Sequence, residues 1–506
     1  ERLASQDPGN ACWQHARMAS YQRVGDVAAA QGDLPAALGA YKELHHVAER
    51  LASQDPGNAG WQHDLSVSQS LIGDVRRAQG DLSGALSFYE ASLAVAERLS
   101  SQDPGNAGWQ HDLTASYQRI GDVRLAQGDL SGALSSYEAS LAVAERLASQ
   151  DPGNAGWQRD LSVSQSLIGD VRRAQGDLPG ALSSYEASLA VAERLASQDP
   201  GNADWQRDLS VSHNKVGDVR LAQGDLCGGL SSYEADLEIA QRLASQDPGN
   251  AGWQRDLSVS HDRIGDVRLA QGDLSGALSS YEASLAVAER LASQDPGNAE
   301  WQRDLSVSHN KVGDVRLAQG DLSGGLLSYE ACRETLERLA SQDPGNAGWQ
   351  RDLSVSRGLI GDVRLAQGDL SGALLSYEAC REILERLASQ DPGNAGWQRD
   401  LSVSQEKVGD VRWAQGDLPG ALSIYEASLT VRERLASQEP GNAGWQRDLS
   451  VSYAKIGSVV LSTQPNTAHR WFQKAHDTLL GMKQAGMYIS PQDEGILQQL
   501  KQMLGL

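Results

Sequence analysis

The stretch Val75-Arg76-Arg77-Ala78-Gln79-Gly80-Asp81-Leu82-Ser83-Gly84-Ala85-Leu86 decides the fold. A Gln-Gly-Asp break stands in it between two segments of helical periodicity. Before the break, Trp61, Leu65, Ile72 and Val75 fall on one face of a helix expected from about Ala59 to Ala78, with Gly80 as its C-terminal stop. After it, Asp81 is placed to cap a second helix carrying Leu82, Ala85, Leu86, Tyr89, Leu93, Ala96 and Leu99, which ends at Asp103-Pro104-Gly105-Asn106. The same tetrapeptide upstream, Asp55-Pro56-Gly57-Asn58, is a turn whose Asn58 caps the first helix. Two helices of roughly 20 residues, each about 30 Å long, are predicted.

This pair is one copy of many. Trp61 recurs as Trp13, Trp109, Trp157, Trp205, Trp253, Trp301, Trp349, Trp397 and Trp445, a period of 48 and ten units within 506 residues, the last one altered. The composition agrees: 2 Phe against 52 Gly, 15 Pro and 12 Trp suits a copied unit better than a set of globular cores. A lone helix pair cannot bury its apolar face, so the pairs must stack, and the expected class is an all-α solenoid. Glycines within the helices, such as Gly73 and Gly84, each cost about 1 kcal/mol relative to Ala. That cost points to close approach where the two helices cross.

Gly73, Gln79-Gly80-Asp81, Ala85, Tyr89 and Leu93 together resemble a tetratricopeptide repeat, and the match recurs in nine units. The unit departs from that family in its length and in Arg76, which stands where an aromatic residue is usual. It is similar to the lengthened repeats of bacterial signalling proteins. The resemblance implies a right-handed superhelix of antiparallel helix pairs, with the first helices lining a concave groove that receives a protein or peptide segment. It also implies a sensor or regulatory role beside an effector domain in a cytoplasmic protein. Residues 1–463 are expected to form the repeats. Residues 464–506 are expected to form a divergent helix pair, with Trp471, Phe472, Ala475 and Leu479, and a capping helix from Ile496 to Leu504 opened by Ser490-Pro491. Glu1 to Gln6 reads as the tail of a helix whose beginning is missing, so further repeats and an effector domain are expected upstream.

The groove face of the first helix carries two charged ladders under this reading. One is Asp74, Asp122, Asp170, Asp218, Asp266, Asp314, Asp362 and Asp410. The other is Arg159, Arg207, Arg255, Arg303, Arg351, Arg399 and Arg447, preceded by His15, His63 and His111. Arg could hold carboxylates bidentately and Asp could hold basic groups; alternatively the two ladders pair with each other between stacked repeats. The copies differ mainly in a tripeptide such as Gln69-Ser70-Leu71, His213-Asn214-Lys215 or Gln405-Glu406-Lys407, and in a second place holding Arg77, Leu125, Arg173, Leu221 and Trp413. The middle residues Asn214, Asp262, Asn310 and Glu406, with Leu221 and Trp413, fall on the proposed groove face. Variation confined to one face fits a recognition surface, and it fits drift at exposed positions equally.

Other chemistries find no support in the residues. With 44 Lys and Arg against 66 Asp and Glu, the formal charge of -22 opposes nucleic acid and anionic membranes. No run of about 18 apolar residues occurs. The 4 Cys are widely spaced with no CxxC, so reduced thiols are expected. His213, His261 and His309 share a phase, but a spacing of about 8–10 Å between repeats is too wide for one metal ion. Ser, His and Asp recur in every unit, whereas catalysis needs one asymmetric pocket. The expectation is a non-catalytic binding module with neither metal nor cofactor. The competing reading is a spacer or self-association scaffold.

Overall fold

Every predicted break is a helix terminus in the computed structural model, which describes residues 11–506, with side chains from Trp13 onward. The reading of Glu1 to Gln6 lies outside the described residues. Asn58 Oδ1 accepts the Trp61 N–H at 3.1 Å and Asp81 Oδ1 accepts the Gly84 N–H at 2.9 Å, so each helix of the pair has its N-terminal cap. Gly80 takes φ +80°, which lets its own N–H and that of Asp81 return to the carbonyls of Arg77 and Arg76, at 3.0 and 2.9 Å. This closes the first helix and turns the chain into the second.

The described residues fall into two compact units, divided in the chain between Pro248 and Gly249. The first unit holds α1 (Ala11–Ala30), α2 (Leu34–Gln54), α3 (Ala59–Ala78), α4 (Leu82–Gln102), α5 (Ala107–Ala126), α6 (Leu130–Gln150), α7 (Ala155–Ala174), α8 (Leu178–Gln198), α9 (Ala203–Ala222) and α10 (Leu226–Gln246). The second holds α11 (Ala251–Ala270), α12 (Leu274–Gln294), α13 (Ala299–Ala318), α14 (Leu322–Gln342), α15 (Ala347–Ala366), α16 (Leu370–Gln390), α17 (Ala395–Ala414), α18 (Leu418–Gln438), α19 (Ala443–Val460), α20 (Pro465–Gln484) and α21 (Pro491–Leu504). Odd-numbered helices up to α19 are the first of each antiparallel pair. No strand occurs among the described residues. Within each unit the pairs stack on their neighbours in chain order, which makes both units α-solenoids. The last helix runs Pro491–Leu504 with Ser490 as its cap, the opening expected from Ser490-Pro491. Ser490 Oγ accepts the Asp493 N–H at 3.1 Å while the Asp493 carboxylate accepts the Ser490 N–H at 3.3 Å, a capping box that starts the helix at the proline.

The two helix glycines have different explanations. A Cβ on Gly73 would lie 2.5 Å from the Tyr89 ring, so α3 must lack a side chain there for the buried Tyr to enter the pair. The close approach expected from the sequence is therefore real, made by a ring and not by a second backbone. For Gly84 the expectation fails. A Cβ there would meet the capping carboxylate of Asp81 and the end of Arg76, not a crossing helix. The first repeat carries Ala36 at this place with its cap intact at 3.0 Å, so flexible side chains can give way.

The interior is not one continuous apolar core. Ala85, Tyr89, Ile120 and Val123 form one cluster, while Ala96, Leu113, Val143 and Leu147 form another. Between such clusters runs a belt of buried serines: Ser66 to Ser92, Ser162 to Ser188 and Ser258 to Ser284 are each paired at 2.8 Å between the helices of a pair. A third device holds successive pairs together. Buried Gln302 donates from Nε2 to the Ala292 carbonyl of the preceding α12 at 3.0 Å and accepts on Oε1 from Arg338 of α14 at 3.3 Å. One amide thus joins three helices with both its ends satisfied. Gln62 does the same between Ala52 and Arg98.

Candidate recognition face of the first helices

The arginine ladder is paired, repeat to repeat, with a set of aspartates other than the one expected. Arg159 Nε meets Asp208 at 2.6 Å, Arg255 meets Asp304 at 2.8 Å and Arg303 meets Asp352 at 3.4 Å. Arg351 meets Asp400 at 2.7 Å, Arg399 meets Asp448 at 2.8 Å and Arg447 meets Asp493 at 2.8 Å. Arg207 is engaged as well. The arginines stay in solvent, with Arg159 half exposed, so each bridge contributes at most about 1 kcal/mol.

In the first three repeats the ladder is made of histidines. His63 Nε2 lies 3.0 Å from Asp112 and His111 Nδ1 lies 2.8 Å from Asp160. The hydrogen bond to its aspartate raises the pKa of each above 6.5, against the opposing effect of burial. A folded pKa above the unfolded one means stability present below about pH 6.5 and lost as pH rises through the folded value. His45 and His213 of the first unit are lowered by burial, so they act on the acid side, where protonation opposes folding. We therefore expect hydrogen exchange in α3 and α5 to quicken, once corrected for its intrinsic pH dependence, as pH rises above 6.5. The effect is under about 1 kcal/mol because both rings are part exposed. H63R/H111R should abolish that trend while leaving the acid-side loss in place.

The other aspartate ladder is held by tyrosines. Tyr185 Oη donates to Asp170 at 2.6 Å, and the same bond joins Tyr233 to Asp218 and Tyr281 to Asp266 at 2.6 Å, and Tyr329 to Asp314, Tyr377 to Asp362 and Tyr425 to Asp410 at 2.5 Å. Burial, then the hydrogen-bonded carboxylate, pushes the phenols of Tyr185, Tyr281, Tyr329, Tyr377 and Tyr425 far above their ordinary pKa. A cation from a neighbouring repeat completes most rungs. Lys215 reaches Asp170 at 2.7 Å, Lys311 reaches Asp266 at 2.9 Å, and Lys407 and Lys455 reach Asp362 and Asp410 at 2.6 Å. Where no Lys is available, an Arg stands farther off, as in Arg77 to Asp122 at 3.6 Å and Arg173 to Asp218 at 3.4 Å.

The variable middle residues do not line an open surface as expected. They turn toward the second helix of their own pair. Ser70 Oγ is 2.9 Å from Ser92 Oγ, and Asn214 and Asn310 have buried Oδ1 atoms that accept no hydrogen bond. Burial raises the Asp262 carboxyl, with Lys311 at 3.7 Å. Glu406 is paired with the buried Arg432 and lies 2.8 Å from Lys455. Burial opposes its ionisation, yet these two cations hold it below the usual carboxylate range. The physical reason is angular: this position borders the face that meets the serine belt, and a side chain there gains more from the neighbouring helix than from water. Leu221 is half-buried and Trp413 is exposed.

What the first helices do expose is a row of valines. Val163 and Val211 in the first unit, and Val259, Val307, Val355 and Val403 in the second, are 37% to 50% exposed, between the two rows of ion pairs. Leu269, Leu365 and Trp413 extend it with exposures of 37%, 38% and 41%. Helical periodicity puts Val211 on the same face as Arg207 and gives no reason to single it out. Between α15, α16 and α17 the surface deepens into a cavity of 400 Å³ lined by Val355, Gly358, Leu359, Cys380, Leu384 and Val403. No described helix is long and apolar enough to cross a membrane.

No protein-family model matches the sequence, and no curated protein matches it. Solved structures are similar in part. RapI in its apo form is 12% identical, covering 83% of this chain and 99% of its own, with a TM-score of 0.47. A tetratricopeptide repeat protein from Parabacteroides merdae is 13% identical over 67% of this chain and 98% of its own, with a TM-score of 0.33. The C-terminal part of a repeat-containing protein of the same kind from Cytophaga hutchinsonii is 14% identical over 65% and 98%, with a TM-score of 0.36. At these scores the likeness carries no argument of its own. The capped antiparallel helix pairs, the Gly-Asp turn and the ring seated on a helix glycine make this chain an all-α solenoid of 48-residue helix pairs, similar in fold to tetratricopeptide repeat structures.

Proposed function

We propose that the chain is a non-catalytic protein-interaction module that takes a peptide or protein segment along the exposed face of its first helices, as the sensor or regulatory part of a larger bacterial signalling protein. The observation that carries this reading is the valine row. Stacking does not bury it, and contiguous apolar exposure rimmed by charge marks interaction surfaces. The charged ladders are positioning elements in this reading, since their side chains already satisfy one another.

Panning a phage-displayed random peptide library on the chain tests it. Selected peptides should lose at least tenfold in affinity for V259Q/V307Q/V355Q, whose helical signal should be unchanged because exposed substitutions cost about 0.5 kcal/mol or less. A second reading, self-association as a scaffold, is favoured by Leu327 and Leu375, which are 66% and 68% exposed where sister repeats carry Ser279 and Ser423. A chain that selects no peptide, yet sediments as a dimer and reverts to a monomer as L327S/L375S, would replace the first reading with the second.

A further inference from the structure

The array displays its own ligand chemistry at four rungs, and at Asp314, as at Asp26 in the first repeat, the cation is missing among the described residues. At Asp170, Asp266, Asp362 and Asp410 an ammonium from the next repeat sits on the carboxylate at 2.6 to 2.9 Å. It also lies over the ring of the tyrosine that holds that carboxylate, at 5.4, 5.1, 5.4 and 5.8 Å from the centroid. Asp314 has the same tyrosine, Tyr329 at 2.5 Å, but the residue that would send the ammonium is Leu359. The substitute used elsewhere is missing too, because the place held by Arg77 and Arg173 in other repeats is here Leu269. Among the described residues no cation bridges Asp314, and its side chain is exposed. Tyr329 occupies Oδ1, and among the described residues no hydrogen bond or ion pair engages Oδ2.

The other side of α15, facing α16 and α17, is altered as well. The neighbouring middle position is Gly358, and a Cβ there would find only Cys380 Sγ, at 4.0 Å, so the 400 Å³ cavity opens where sister repeats carry Asn310 or Glu406. Leu359 lies between this cavity and Tyr329, packed against both.

We infer that the junction of α13 and α15 is a docking site for a lysine of a partner peptide. Its ammonium takes the Asp314 carboxylate, its stem lies along Leu359, and an apolar side chain of the same peptide fills the Gly358 cavity. Lysine is favoured over arginine because the array's own lysines close to 2.6–2.9 Å on such a carboxylate, whereas Arg77, Arg119 and Arg173 stand at 3.6, 3.6 and 3.4 Å. The two subsites lie about one helix spacing apart, roughly 10 Å, which about three extended residues span. This inference rests on the peptide-binding reading above and names the chemistry of the peptide.

The library-selected peptides test it on the full chain. They should share a lysine about three positions from an apolar residue, and their affinity should fall at least tenfold for D314N and for L359K, which supplies the ammonium internally. L359K should also melt higher than wild type, and the gain should vanish in L359K/D314N. Peptides that bind through the valine row without a lysine, or that bind L359K undiminished, would overturn this inference and leave the module reading standing. Selection of no peptide would overturn both. An L359K protein no more stable than L359M would show that Asp314 is not a vacant ammonium site, whatever the peptides do.

Discussion

Replacing Gly265 with Ala should destabilise α11 and α12, although Gly→Ala within a helix ordinarily gains about 1 kcal/mol. The new Cβ would stand 2.4 Å from Tyr281 Cε1 and 2.6 Å from Cδ1, inside any real contact distance. The ring cannot retreat, because it is buried and its hydroxyl is bonded to Asp266 at 2.6 Å. Overpacking of this kind costs about 1–3 kcal/mol. In a stacked array the loss falls on one pair and its neighbours, so peptide-resolved hydrogen exchange is the suitable measurement. Shortening the ring should reverse the sign: G265A should stabilise a Y281L background. A loss of equal size in both backgrounds would refute the ring as the reason for the glycine.

Glu406→Gln should cost about 3–5 kcal/mol in α17 to α19, because it strands the Arg432 guanidinium, which is 3% exposed, without its carboxylate. Arg432 also donates to the Asp448 carbonyl at 2.9 Å and to Ser452 Oγ at 3.0 Å, bonds that hold the arginine in place but do not neutralise it. Sister repeats solve the same position without charge, with Asn310 and Leu336 in one and Gly358 and Leu384 in the next. The double variant E406N/R432L copies the first of these and should recover most of the loss. Exchange protection in α18 that falls as far in the double variant as in E406Q would show that the charged pair has a role beyond filling the space.

The helices, their caps and their order were legible because each is written within a few residues: Asn58 beside Trp61, Asp81 beside Gly84, Gly80 in the turn. The partners on the recognition face were not, because they are written 45 or 49 residues apart. Lys215 follows Asp170 by 45 positions, and Asp208 follows Arg159 by 49, spacings that mean nothing until the pairs are stacked. The recurrence of that interval at Lys311, Lys407 and Lys455 was a usable signal. Periodicity alone also misplaced the middle residues, Asn214, Asp262, Asn310 and Glu406. A helical wheel sorts positions into inside and outside, and these lie on the border, where the neighbouring helix decides. The buried Gln302 was missed for a related reason: an amide reads as surface until both its partners are seen.

The glutamine clasp and the Pro-Gly turn are built from the same residues at nearly every interior junction, so the plane exposed by cutting the chain between two pairs matches the plane exposed at many other cuts. Removing or inserting whole 48-residue periods brings surfaces together that already fit, and what changes is the order of the odd rungs. Reach is thereby uncoupled from stability in this molecule. The array is a ruler whose graduations are interchangeable, except at the few marked ones.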